Sequence, residues 1–262
     1  MTALEPVTAL HAVLLVVGGF GAGVLNVVAG AGSALTLPVL MLSGLDLHAA
    51  NATNRIAVAV QVVVGTTGLH RAGVRPWRAA LGVLPASLLG GLVGAVAVSA
   101  MPTTVLHTSF GLLFIGLAVL MLRRPAWLVP TPESTVGEHS PWRPRTQAWF
   151  FAVGVYGGMF QAGVGIPLLL VAVRCLGLDT LAGNAAKIAL TGAFTLMALL
   201  VFGASGQLDL PRGLLLAAGT TLGAMLGVRV AQRIDTAILR WVIIGALLVA
   251  AVRAFWVVTQ GP

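Results

Sequence analysis

Charge is scarce in this chain. Only 8% of its 262 residues are Asp, Glu, Lys or Arg, against about 25% in a soluble domain. With 58% hydrophobic residues, it has too little polar sequence to build a separate soluble domain. A single cysteine, Cys175, rules out an internal disulfide. Acidic residues number seven, and each falls in a polar stretch or at the end of an apolar segment. The histidines His11, His48, His70, His107 and His139 follow no metal-ligand spacing. No metal site is expected, and nothing in the sequence calls for a cofactor. A nucleotide-binding loop, a carboxylate pair and a hydrolytic triad are all missing, so the sequence does not read as an enzyme. The opening residues, Met1-Thr-Ala-Leu-Glu-Pro6, lack the basic region of a secretory signal. The first apolar run is therefore expected to stay in place as a membrane helix.

What fills the chain instead is a series of apolar runs of about 18–20 residues, the length a helix needs to cross the hydrocarbon core. The expected fold is all-α, a polytopic membrane protein that partners the lipid bilayer. A net charge of +8 does not signal nucleic acid, because the arginines sit singly or in short clusters between apolar runs and not along one exposed face.

The chain repeats itself. Ala29-Gly-Ala-Gly-Ser33 returns as Ala162-Gly-Val-Gly-Ile166, and Asn51-Ala-Thr-Asn-Arg55 as Asn184-Ala-Ala-Lys187, both 133 residues later. Gly21 matches Gly154, Gly44-Leu-Asp46 matches Gly177-Leu-Asp179, and Gly73 matches Gly206 in the same register. Gly90 and Gly94 match Gly223 and Gly227 as small-xxx-small pairs suited to close helix packing. A first transmembrane repeat over 1–122, a cytoplasmic linker over 123–146 and a second repeat over 147–262 follow. The first repeat reads as segments from about Val7 to Val28, Ser33 to Leu42, His48 to Leu69, Ala79 to Val98 and Thr104 to Leu122. Its counterpart reads as Gln147 to Ala162, Ile166 to Leu176, Thr180 to Phe202, Gly213 to Val230 and Ile238 to Val258.

Arginine placement orients these segments. Arg71, Arg75 and Arg78 mark the loop after the third segment as cytoplasmic, and Arg123, Arg124, Arg143 and Arg145 place the linker on the same side. In the second repeat the matching loop, Gly203 to Arg212, carries one arginine beside Asp209, and the basic loop is the next one, with Arg229, Arg233 and Arg240. The basic side has switched between matching loops. Two inverted-topology repeats account for this, with broken or short helices at the centre and both termini outside the cytoplasm. That is the architecture of secondary transporters.

Two features point to a site. Gly30 and Gly32 interrupt the first repeat, and Gly163 and Gly165 interrupt the second. A helix broken at membrane depth survives only inside protein or beside a water-filled cavity. Each break precedes a short helix whose start, aided by Ser33 or Pro167, presents N–H groups and the positive dipole end to an anion. The second feature is the polar cluster. Asn51, Asn54 and Arg55 share one helix face, as do Asn184 and Lys187, the only lysine. An intramembrane cation costs about 2.5–3.5 kcal/mol on insertion scales and faces a cavity or a partner. No carboxylate lies in a segment interior to neutralise these two cations, so an anionic substrate is the expected counter-ion. Gln161, next to the second break, is a further lining candidate, whereas Asn26 and Gln61 read as interhelical hydrogen bonders.

The residues that carry this organisation also carry a likeness. Gly18-Gly-Phe-Gly-Ala-Gly23, Gly30-Ala-Gly-Ser33, Pro38 and Ala50-Asn-Ala-Thr-Asn54 resemble the first block of the TauE/SafE family of sulfite exporters. Gly154-Val-Tyr-Gly-Gly158, Gly163-Val-Gly165 and Gly183-Asn184 resemble its second block. The likeness covers nearly the whole chain and implies export of small inorganic or organic sulfur anions, sulfite or organosulfonates, across the bacterial inner membrane. The expectation is a secondary transporter in which Gly30, Gly32, Ser33, Asn51, Asn54, Arg55, Gln161, Gly163, Gly165, Asn184 and Lys187 meet around one anion. An anion channel with the same cationic interior is the alternative. The oligomeric state stays open, a homodimer included.

Overall fold

In a computed structural model, residues 7–29, 32–71, 73, 77–123, 140–230 and 236–260 are described. They form ten α-helices: α1 Ala9–Ala29, α2 Gly32–Leu42, α3 Leu47–Arg71, α4 Trp77–Ser99, α5 Thr103–Arg123, α6 Pro144–Met159, α7 Gly165–Leu176, α8 Thr180–Ala204, α9 Leu210–Val230 and α10 Thr236–Gln260. All ten expected segments are present as helices. Among the described residues, the stretches Ala9–Asn26, Ala80–Ser99, Thr103–Arg123 and Thr180–Ala204 are long and apolar enough to cross a membrane. With 11 and 12 residues, α2 and α7 rise only about 17 Å each and cannot span it. Large apolar side chains face outward throughout, Leu10, Leu81, Leu112, Leu200 and Val252 among them, which suits helices surrounded by hydrocarbon and not by water. The protein is a multi-pass membrane protein. Arg75, Arg124, Arg233 and most of the linker lie outside the described residues, as do the side chains of Arg78, Arg229 and Arg240.

Matching positions behave alike. Gly44 and Gly177 both have positive φ, 94° and 64°, and so do Gly73 and Gly206, at 81° and 66°. Each of these turns needs a residue without a Cβ. Asp46 accepts a hydrogen bond from the Ala49 N–H at 2.9 Å, and Asp179 one from the Ala182 N–H at 2.7 Å. Both are N-caps that start the polar helices α3 and α8.

The chain divides into two compact units, each drawing on both halves of the sequence. The first comprises Met1–Val58, Ser99–Arg124 and Phe202–Pro262; the second comprises Ala59–Val98 and Pro125–Val201. Within the first, α1 packs on α9, and glycines set how closely. A Cβ built on Gly23 would lie 2.1 Å from the Thr220 carbonyl oxygen, and one on Gly223 would lie 2.0 Å from that of Phe20. Within the second, α4 packs on α6 by the same device. A Cβ on Gly94 would lie 2.1 Å from the Val155 carbonyl oxygen, and one on Gly158 would lie 2.2 Å from that of Gly91. Phe194 of α8 wedges in beside this crossing, its Cβ 2.4 Å from a Cβ built on Gly91. It joins the buried apolar cluster of Phe150, Leu168 and Leu190. In each unit, then, the first helix of one half meets the fourth helix of the other.

These contacts make a testable contrast. Gly223→Ala or Gly94→Ala must separate two helix backbones, and overpacking of this kind costs about 1–3 kcal/mol. Gly116 and Gly245 have nothing within 4 Å of a built Cβ, so alanine there is neutral or slightly stabilising, by at most about 1 kcal/mol. Thermal unfolding in detergent should show the first pair lowered and the second pair unchanged or raised.

Candidate functional site

In the first unit the site is built on the opening turns of α3. Once Asp46 has capped that helix, the 3.6-residue repeat brings Asn51, Asn54 and Arg55 to one face. All three are buried, and Asn54 and Arg55 have no exposed surface. The Arg55 Nη2 donates to Asn51 Oδ1 at 3.4 Å, a long contact. Its guanidinium carbon stands 5.7 Å from the centroid of the Phe202 ring, within range of a cation–π attraction. Neither amide atom of Asn54 has a hydrogen-bond partner among the described residues. A buried polar group left in this state costs about 1–3 kcal/mol.

In the second unit the broken helix is described in full. α6 ends at Met159, three residues earlier than the apolar run suggests, and α7 starts at Gly165. Between them the chain turns through Gln161 and Gly163, with φ of 61° and 70°. Gln161 is the one non-glycine residue with positive φ among those described, and it is 3% exposed. A left-handed conformation outside glycine carries strain of order 1 kcal/mol, held only where surrounding structure dictates it. Here the Tyr156 hydroxyl donates to the Ala162 carbonyl at 2.5 Å and fastens the turn to the last part of α6. α7 then packs on α8 at Gly183, where a built Cβ would lie 3.0 Å from Val173 Cγ2. Asn184 follows directly, and Lys187 is one turn further. Both are half-buried, and no hydrogen bond or ion pair to either is seen among the described residues.

The expected residues thus fall into two sets. Asn51, Asn54 and Arg55 lie together in the first unit; Gln161, Gly163, Gly165, Asn184 and Lys187 lie on successive elements of the second. In the first break, Gly30 lies outside the described residues. Gly32 opens α2 and is seated against α1, a built Cβ falling 2.3 Å from the Ala22 carbonyl oxygen. Ser33 stands inside the first turn of α2 and not ahead of it, which removes the expected capping position; its side chain lies outside the described residues.

A family described as Sulfite exporter TauE/SafE matches this chain over residues 15–254. The chain belongs to the TauE/SafE family. It is a membrane transporter and not an enzyme. Among curated proteins it is similar to "Probable membrane transporter protein ORF9" of Sinorhizobium sp.. The two are 26% identical over 241 residues, covering 91% of this chain and 90% of the relative. No solved structure matches.

This TauE/SafE chain also holds a polar cluster that sequence reading missed. Asp209 and Arg212 were expected in the loop Gly203 to Arg212, on the side opposite the basic loops, with the next helix starting at Gly213. Instead α9 starts at Leu210, Asp209 is its N-cap, and the two side chains form a buried ion pair. Asp209 Oδ1 accepts from the Arg212 N–H at 2.9 Å. Arg212 Nε donates to the Ser43 carbonyl at 3.2 Å, and the Asp209 N–H donates to Thr53 Oγ1 at 3.0 Å. Arg212 is therefore committed inside the protein and carries no weight as a topology marker. The signal was present in Asp209-Leu-Pro-Arg212: an acidic cap, then proline in the first turn, is how a helix begins.

Proposed function

We propose that this protein is a secondary transporter that carries a small sulfur-containing anion, sulfite or an organosulfonate, outward across the bacterial inner membrane. The observation that carries the reading is Asn54, whose amide is wholly buried and unsatisfied among the described residues, next to the wholly buried cation Arg55. An oxyanion supplies acceptors for the amide N–H groups and charge for the guanidinium. Lys187 and Asn184 offer the same chemistry from the second half, where Gln161 and the Gly163/Gly165 turn are further candidates. Each set offers cationic and amide donors suited to a small anion. Gly30, Gly32 and Ser33 serve it from the first break through the N-terminal dipole of α2.

Duplicated halves of opposite orientation, 1–122 and 147–262 joined by a cytoplasmic linker, give this carrier its two access states. Support comes from the paired left-handed glycines, the paired aspartate caps and the reciprocal packing of α1 on α9 and α4 on α6. With an odd number of crossings in each half, both termini face away from the cytoplasm. The complete burial of Asn54 and Arg55 favours an occluding carrier over an open channel.

Proteoliposomes test this reading. Uptake of sulfite, thiosulfate, sulfate and an organosulfonate is compared under imposed pH and sodium gradients. Saturable sulfite or sulfonate flux, accelerated by preloading the same anion inside, is the expected result. Flux that preloading leaves unchanged would mean a channel, and no flux of any sulfur anion would remove the substrate assignment.

A further inference from the structure

We propose that Thr53, held by the Asp209–Arg212 pair, is a positioning residue that sets the affinity of the Asn51, Asn54 and Arg55 face for the transported anion; this rests on the reading of that face as a substrate site. The pair is a poor device for stability alone, since a buried ion pair is often matched or exceeded by apolar side chains of similar volume. Its distinctive product is geometric. One arm, Arg212 Nε, reaches the Ser43 carbonyl just past the C-terminus of α2, where a cation also complements the helix dipole. A second arm, the Asp209 N–H, reaches Thr53 Oγ1 in the middle of the polar run of α3. Arg212 and Asp209 are 2% and 3% exposed and Thr53 is fully buried, so the linkage is shielded from competing water.

The helical repeat decides what Thr53 can do. At about 100° per residue, Thr53 lies about 100° around α3 from Asn54 and about 200° from Asn51. It therefore grips α3 from one side while the amides and guanidinium project from another. One turn on, Gly213 of α9 meets Ile56 of α3, a built Cβ falling 2.5 Å from Ile56 Cδ1. Thr53 with Asp209, and Ile56 with Gly213, thus fix the rotation and register of α3 against the start of α9. A slip in that register would move Arg55 off the Phe202 ring and displace the Asn54 amide.

The device also occurs in one of the two units alone. The positions 133 residues from Thr53, Asp209 and Arg212 are Ala186, Pro76 and Ala79, which offer neither hydroxyl nor charge. A linkage required simply to hold a duplicated fold would be expected in both units. Its restriction to the unit that carries Asn54 and Arg55 ties it to that polar face.

The test uses the full chain in proteoliposomes with sulfite as the probe. Thr53→Val keeps the side-chain shape and removes the acceptor; Thr53→Ala removes it with less volume; Thr53→Ser retains it. In Thr53→Val and Thr53→Ala the KM for sulfite should rise roughly fivefold to tenfold with Vmax nearly unchanged, the effect of one mispositioned hydrogen bond. Thr53→Ser should restore the wild-type KM. An unchanged KM in either folded variant overturns the proposal, and so does a KM that Thr53→Ser fails to restore. Asn54→Ala and Arg55→Met separate the two levels of inference. If these two variants transport sulfite like wild type, the substrate face itself is misassigned. If they are impaired while Thr53→Val is not, only the positioning role fails.

Discussion

Lys187→Met is expected to abolish flux of the proposed substrate, sulfite, and to leave the protein folded. Methionine is close in length to lysine and suits a membrane helix, so the substitution removes charge with little change in packing. Burying that charge is itself unfavourable, by about 2.5–3.5 kcal/mol on insertion scales. Thermal unfolding of Lys187→Met should therefore occur at the wild-type temperature or above. Flux responds in the opposite sense. Truncating one member of a desolvated, hydrogen-bonded charge pair costs about 2–5 kcal/mol, a loss of roughly 30-fold or more in affinity for the anion. Lys187→Arg, which keeps the charge on a different head group, should retain part of the activity. Sulfite uptake at several concentrations, beside an unfolding curve, checks both halves of the expectation. Wild-type flux in Lys187→Met would take the residue out of the mechanism.

The second large effect falls on stability. Arg212→Met leaves the Asp209 carboxylate buried without its cation and the Ser43 carbonyl without its donor, and breaking a buried pair in this way costs about 3–5 kcal/mol. The double variant Asp209→Asn/Arg212→Met removes both charges, while asparagine still accepts the Arg212-position N–H as an N-cap. It should lose less stability than Arg212→Met alone, because no uncompensated charge remains. Unfolding curves of the single and double variants in one detergent decide the matter. A double variant less stable than the single one would show that the pair contributes net attraction beyond the penalty of burying it.

Local patterns made most of the fold legible. Each of the ten helices corresponds to an apolar run, and Gly44, Gly177, Gly73 and Gly206 end helices where their lack of a Cβ is needed. The polar face of α3 was legible because i, i+3 and i+4 spacing follows from the helical repeat alone. What escaped depends on partners distant in sequence. No periodicity indicates that Thr53 meets Asp209, or that Phe202 lies under Arg55. Gly223 reads as a packing glycine, but only the structure shows that Phe20 is what it meets. The end of α6 was misplaced for a related reason. Residues 160–162 are apolar enough to continue the helix, and what stops it is the left-handed turn at Gln161 and Gly163, fastened by the Tyr156 hydroxyl. Asp209 and Arg212 were read as loop charges because a charged pair in an acid-poor membrane protein is assumed to seek water; their mutual neutralisation lets them lie inside.

The central claim is that the buried face bearing Asn54 and Arg55 receives the transported anion, and equilibrium binding of sulfite to the purified chain measures it directly. Saturable sulfite binding to the wild-type chain, lost in Asn54→Ala and in Arg55→Met, is the expected result. Wild-type binding in both folded variants would contradict it.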